Sequence, residues 1–205
     1  MTAMSHKTFR MELAEHFRWK SIALNALIVL GILTALYAIL NVIPVHKYAT
    51  FTHPPTGIQI KFPNNWGFDD PKQPGAIIVF TAPPEGPLDM FTENVVLTYW
   101  DLNPDINTLT KLSQKMVHQV TRTFKGYMEV LESKRSRVGG QLGYKFVYVG
   151  KVEGVDDPNK FMHVWTIIGT RAFILTYAAK ESTFDKYLKH VNKMIDSLRP
   201  IPQQK

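Results

Sequence analysis

From Ser21 to Val45 no residue carries a charge, and the polar side chains are only Ser21, Asn25, Thr34 and Asn41. At about 1.5 Å per residue a helix over this run extends roughly 37 Å, enough to cross a ~30 Å hydrocarbon layer with some tilt. The pattern therefore predicts a transmembrane helix over residues 21–45. Beyond it the spacing changes. Tyr48–Thr52 reads as a short strand, and Gly57–Phe62 (GIQIKF) alternates apolar and polar positions as a half-buried strand does. Ala76–Ala82 (AIIVFTA) is a continuous apolar run expected at the centre of a sheet, and Asn94–Asp101 is a further strand.

Leu109, Leu112, Met116, Val120 and Phe124 then recur at helical spacing, with Asn107 or Thr108 as the cap and Gly126 as the stop. Tyr127–Val138 is a polar strand expected at a sheet edge. Gly139-Gly140 predicts a tight hairpin turn, since glycine accepts positive φ, and Leu142–Val152 returns from it. Phe161–Thr170 and Ala172–Ala179 form a second hairpin. Ser182 or Thr183 is expected to cap a last helix whose inner face is Phe184, Tyr187, Leu188, Val191, Ile195 and Leu198; Pro200 stops it and residues 201–205 read as a frayed tail. Residues 69–75 and 83–90 read as proline-containing loops. The order β-β-β-β-α-β-β-β-β-α, dominated by hairpins, implies an α+β fold with an antiparallel sheet covered by helices.

Charge orients the predicted span. Lys7, Arg10, Arg18 and Lys20 precede it against Glu12 and Glu15, whereas only Lys47 closely follows. Basic flanks stay in the cytoplasm, so residues 1–20 are expected inside and residues 46–205 outside, in a periplasm or thylakoid lumen. A cleaved signal peptide fits less well: its apolar core is shorter and ends in a small-residue site, which Asn-Val-Ile-Pro-Val does not supply. Phe9, Leu13 and Phe17 give the first segment an apolar stripe suited to the membrane surface. Within the span, Gly31, Thr34, Ala35, Ala38 and Asn41 share one helix face. Small residues of this kind let a second helix approach closely, so this face is the expected contact with integral membrane partners.

Composition adds exclusions. The net charge is +7 and there is no cysteine, which removes disulfides, thiol catalysis and Cys-ligated zinc. Nucleic acid is not an expected partner of a domain outside the cytoplasm. The histidines His6, His16, His46, His53, His118, His163 and His190 show no metal-binding spacing, and His118 and His190 are expected on solvated helix faces. Asp69-Asp70 and Asp156-Asp157 are too few oxygens alone for a divalent cation and are read as turn residues. No serine lies in a GxSxG elbow, and Gly139-Gly140-x-x-Gly143 opens a strand, not a helix, so it is no phosphate loop. Interaction candidates remain: Pro71 and Pro74 in one loop, Pro83 and Pro84 in the other, and the basic group Lys134, Arg135 and Arg137. That group equally suits a charged edge strand protected from pairing.

One stretch carries a family likeness. Tyr48, then Gly57-Ile-Gln-Ile-Lys-Phe-Pro63-Asn-Asn-Trp66, later Val164-Trp165-Thr-Ile and Leu175-Thr-Tyr-Ala178, and a final helix beginning Phe184-Asp-Lys-Tyr, resemble the PsbP-like superfamily. The resemblance spans roughly residues 48–199. Gly57 is expected to open a strand and Pro63-x-x-Trp66 to close it and plug the core. The resemblance implies an α/β/α sandwich around an antiparallel sheet, and an accessory role without catalysis or cofactor. It departs from the soluble plant photosystem subunit in the predicted span, which puts a role in water oxidation in doubt.

The leading expectation is a single-span accessory subunit that caps the outer face of a larger membrane complex, a photosystem if the host is photosynthetic, with no small ligand. The alternative is a membrane-tethered module that binds a ligand or peptide in the cell envelope, which predicts a ligand-sized apolar pocket between sheet and helix. An enzyme would require His118, His163, His190 or the aspartate pairs to meet in one cleft.

Overall fold

The computed structural model describes residues 29–34, 47–87, 89, 91–124, 126–151 and 158–202. The chain divides into two units, Met1–His46 and Lys47–Lys205. In the first, residues 29–34 are helical, and the Thr34 hydroxyl donates to the Gly31 carbonyl at 2.9 Å. Ala35, Ala38, Asn41, most of the uncharged run and the amphipathic segment lie outside the described residues, as do Asp156 and Asp157. Among the described residues no helix is long and apolar enough to cross a membrane.

Among its described residues the second unit carries ten strands and two α-helices. The strands are β1 (Tyr48–His53), β2 (Ile58–Pro63), β3 (Gly67–Asp69), β4 (Ala76–Thr81), β5 (Asn94–Asp101), β6 (Tyr127–Val138), β7 (Gln141–Lys151), β8 (Asn159–Ile168), β9 (Arg171–Lys180) and β10 (Arg199–Pro200). Helix α1 (Leu109–Thr123) lies between β5 and β6, and α2 (Phe184–Ser197) between β9 and β10. Seven strands form one sheet in the order β3-β4-β5-β9-β8-β7-β6, and β1-β2-β10 form a second, smaller sheet. All pairings are antiparallel.

Period-2 alternation explains the layers. On β8, Met162 and Val164 point to one face and Trp165 to the other, and each joins a different buried cluster. The larger cluster lies between the large sheet, the small sheet and α2, and contains Ile58, Ile60, Phe80, Val95, Leu97, Val191 and Met194. The smaller lies under α1 and contains Leu112, Met116, Phe146, Tyr148, Trp165 and Ile174. The outcome is a sheet with one helix on each face, as the resemblance implies, with the small sheet added beside α2.

Three expectations need correcting. Asp69 belongs to β3, not to a loop: Gly67–Asp69 pairs with Thr81–Val79. The tail beyond Pro200 does not fray at once, because Arg199 and Pro200 pair with Gln59 and Ile58 and the Ile201 N–H donates to the Gly57 carbonyl at 2.9 Å. Both strands are too short for periodicity to reveal. Thr183 occupies the cap position of α2, but its hydroxyl donates to the Glu93 carboxylate instead of accepting from the helix. Thr108 does cap α1, accepting from the Lys111 N–H at 3.3 Å.

Gly57 holds φ +71° in the turn before β2, Pro63 ends that strand, and Trp66 is buried against Tyr187. Gly139 and Gly140 make the β6–β7 turn with φ +55° and +83°. At Gly139 the backbone also passes close to the end of α2. A Cβ there would stand 1.6 Å from the Leu198 carbonyl oxygen, and the Gly139 N–H donates to Ile195 at 3.0 Å. Only glycine fits, so the hairpin tip is locked to α2.

Candidate functional site

A seven-stranded sheet is about 29 Å across at ~4.8 Å per strand, whereas a helix with its side chains is about 10 Å wide. On one face the small sheet and α2 share the covering. On the other, among the described residues, α1 and the short turn Pro104–Ile106 provide the covering, and cavities flank α1 on both sides. Toward the β6–β7 hairpin a groove of about 740 Å³ opens, mainly apolar in its lining. Toward β4 and β5 a smaller cavity of about 260 Å³ remains.

Helical spacing builds one wall of the groove. Leu109, Ser113, Val117 and Thr121 recur every four residues on α1, with Gln114 and His118 beside them. Strand alternation builds the other. Ser133 and Arg135 on β6 share a face, and Arg135 stands opposite Tyr144 while Leu142 lies two residues nearer the hairpin tip on β7. The floor is fixed. Trp165 is fully buried, its indole N–H donates to the Ser113 hydroxyl at 2.9 Å, and its ring stacks on Tyr144 with centroids 5.2 Å apart. The Tyr144 hydroxyl meets Ser133 Oγ at 2.9 Å. Leu142, in the wall of the groove, is 69% exposed.

The basic group does not act as one patch. Arg135 faces the groove. Lys134 points to the opposite side of β6, where it and Lys145 pair with Glu132, the latter at 2.8 Å. Burial raises the Glu132 carboxyl, but the two ammonium groups outweigh it and hold the pKa below the usual carboxylate value. The Arg137 guanidinium donates to the Gly140 carbonyl at 3.0 Å. On that second face a cavity of about 440 Å³ lies between α2 and the sheet, with Lys134, Lys145 and Lys160 around Glu132 and Asp185.

His163 sits on the sheet under α1, at the smaller cavity. Its Nδ1 pairs with the Thr176 hydroxyl at 3.0 Å and its Nε2 with the Tyr148 hydroxyl at 3.3 Å; the Tyr148 ring lies parallel to it at 5.6 Å. Burial pushes the imidazole down to about 4 and the Tyr148 phenol up to about 12. A neutral ring is therefore built into the sheet. His118 is exposed at the groove, as expected. His190 departs from its expected solvated position: it is half-buried, and its Nδ1 pairs with the Tyr48 hydroxyl at 2.7 Å. The three histidines thus occupy three separate neighbourhoods. Among the described residues no three His, Asp or Glu side chains stand together as metal ligands.

Pro74 lines the smaller cavity, and Pro71, Pro83 and Pro84 remain on the surface in their loops. The second loop is held at both ends: the Asp89 carboxylate accepts from the Glu85 and Phe91 N–H groups, and Glu85 pairs with Lys186 at 2.7 Å. Sequence reasoning singled out Arg135 and His118 but not Ser113, Leu142 and Tyr144, which complete the groove. A serine between Leu112 and Met116 on the buried side of α1, and a leucine two residues after Gly140, were the available signals. It also missed Glu93, which is 1% exposed and holds Thr183 from within the core.

The fold has known counterparts. No curated protein matches this sequence significantly. Among solved structures the chain is similar to CyanoP, the cyanobacterial PsbP of Synechocystis sp. PCC 6803, at 16% identity and TM-score 0.53, over 78% of this chain and 95% of that one. It is similar to PA94 of Pseudomonas aeruginosa, a protein of unknown function, at 12% identity and TM-score 0.52, over 76% of this chain and 99% of that one. It is also similar to the Saccharomyces cerevisiae Ran-binding protein Mog1p, at 8% identity and TM-score 0.53, over 75% and 95%. At these identities the likeness is one of fold. The PsbP family model itself matches residues 46–200, the whole of the folded unit from β1 to β10, and the chain belongs to the PsbP family.

Proposed function

We propose that this protein is a membrane-tethered accessory module, with its PsbP domain held on the outer face of a membrane complex by the helix of residues 21–45. The observation that carries this reading is the order of the chain. A 25-residue uncharged run, basic on its N-terminal side, leads directly into the family domain. The same fold serves proteins as different as CyanoP and Mog1p, so the reading rests on these residues and not on the likeness. In this arrangement residues 1–20 are cytoplasmic and the domain faces a periplasm or lumen. Gly31, Thr34, Ala35, Ala38 and Asn41 are the helix face toward integral membrane subunits.

Two measurements test it. Purification of the tagged full-length chain in mild detergent, followed by mass spectrometry, is expected to recover integral membrane proteins in fixed stoichiometry; recovery of the chain alone would refute the accessory role. Because the chain has no cysteine, Thr2→Cys and Gln203→Cys report topology cleanly. A membrane-impermeant maleimide added outside intact cells or vesicles of native orientation is expected to label the second and not the first.

A second reading is favoured by the groove. A tethered ligand-binding module predicts an apolar, ligand-sized pocket between sheet and helix, and a groove of about 740 Å³ lies there, within the range of small-molecule sites.

A further inference from the structure

We infer that the groove between α1 and the β6–β7 hairpin binds a long-chain carboxylate, with its apolar chain along Leu109, Val117 and Leu142 and its head at Arg135. The shape calls for a body and a head. The lining is mainly apolar, and Leu142 stands 69% exposed at one side of it, so an apolar chain gains by covering it. Charge enters at one place. Arg135 is the sole Lys or Arg in the lining, and among the described residues no carboxylate pairs with it. Its neighbours are spent elsewhere: Lys134 on Glu132 across the sheet and Arg137 on the Gly140 carbonyl.

One guanidinium matches one unit of negative charge, and its planar fork accepts a carboxylate in bidentate fashion. The Ser133 and Tyr144 hydroxyls, 2.9 Å apart and beside Arg135, share one proton between them and leave the other free to donate to the head. The floor is rigid, since Trp165 is pinned by Ser113 and Tyr144. The site is thus preformed, and the ordering cost of binding falls mainly on the ligand. This inference does not depend on the accessory role.

The test uses the full-length chain in nanodiscs of zwitterionic lipid, where detergent cannot fill the groove. The probe is a hexadecanoic acid carrying a diazirine in its chain, cross-linked by light and mapped by peptide mass spectrometry. Cross-links are expected on residues 109–121 and 131–144. Arg135→Gln is expected to lower them roughly fivefold, the scale of one exposed ion pair. The matching hexadecanol probe should label the groove weakly and be indifferent to Arg135→Gln. Lys134→Gln, on the other face of the same strand, should leave the acid probe unaffected. The inference is overturned if labelling is confined to residues outside the groove, if acid and alcohol label it equally, or if inorganic phosphate displaces the acid.

Discussion

Lowering the pH from 7.5 to 5 should weaken the fold through one side chain, His163. The imidazole is half-buried between the sheet and α1, at the smaller cavity, paired by both nitrogens to Thr176 and Tyr148, and burial depresses its pKa to about 4. Unfolding returns it to the ordinary value near 6.5, so the unfolded chain binds a proton that the folded chain refuses. The sign follows. The contribution is complete above pH 6.5 and is lost as pH falls from there through 4. With those two values, linkage removes about 2 kcal/mol by pH 5 and about 3 kcal/mol by pH 4.

The window separates this effect from the carboxylates. Asp89 and Glu132 are held below their usual values, Asp89 first by the Glu85 N–H and Glu132 by its two lysines against the pull of burial, so both lose their contribution only below about pH 4.5. His53 is also lowered by burial and acts in the same direction, which makes His53→Gln the necessary control. The assay is urea unfolding of the full-length chain at fixed pH, followed by tryptophan fluorescence. His53→Gln should lose about 2 kcal/mol between pH 7.5 and 5 and wild type slightly more, while His163→Gln starts lower and keeps only the smaller slope that His53 contributes. A wild-type curve that moves by less than about 0.5 kcal/mol over that window, or a His163→Gln curve as steep as wild type, would refute the reasoning.

Three further outcomes follow from packing. Gly139→Ala places a methyl against the Leu198 carbonyl at a positive φ and should cost about 3 kcal/mol or more, read as a lowered urea midpoint. Ser113→Ala leaves the buried Trp165 N–H without its acceptor; it should cost about 1–2 kcal/mol, with faster exchange of the indole proton in NMR. Trp66→Ala empties the plug beside Tyr187 and should cost about 3–5 kcal/mol, far more than removal of the half-buried Pro71 in the neighbouring loop.

Most strands and both helices were legible because each is long enough for its period to show. The alternation of β2 and the Leu109–Phe124 stripe of α1 are set by which face must be dry, and tertiary structure does not override them. The Gly139-Gly140 turn was legible because two adjacent positive φ angles demand glycine. What escaped was short or non-local. β3 and β10 have three and two residues, fewer than a period needs, and they exist only because β4 and β2 offer free edges. Thr183 looked like a cap by its place in the sequence. Glu93, 90 residues earlier, takes its hydroxyl, and no local pattern reports that competition.

The groove escaped for a different reason. It is not a motif but a remainder, the sheet area that one helix cannot cover. Its existence follows from widths: among the described residues, seven strands lie on one side of the interface and a 15-residue helix with the short turn Pro104–Ile106 on the other. The strand count depends on long-range pairing, so it becomes known only once the sheet is assembled. Its chemistry, by contrast, was partly in view. Arg135, a cation with no carboxylate partner among the described residues, and the exposed Leu142 lie close together on the α1 face of the hairpin. Both residues fit a third component with one apolar part and one acidic part. That makes the α1 flank, rather than the proline loops, the first place to look for what this domain holds.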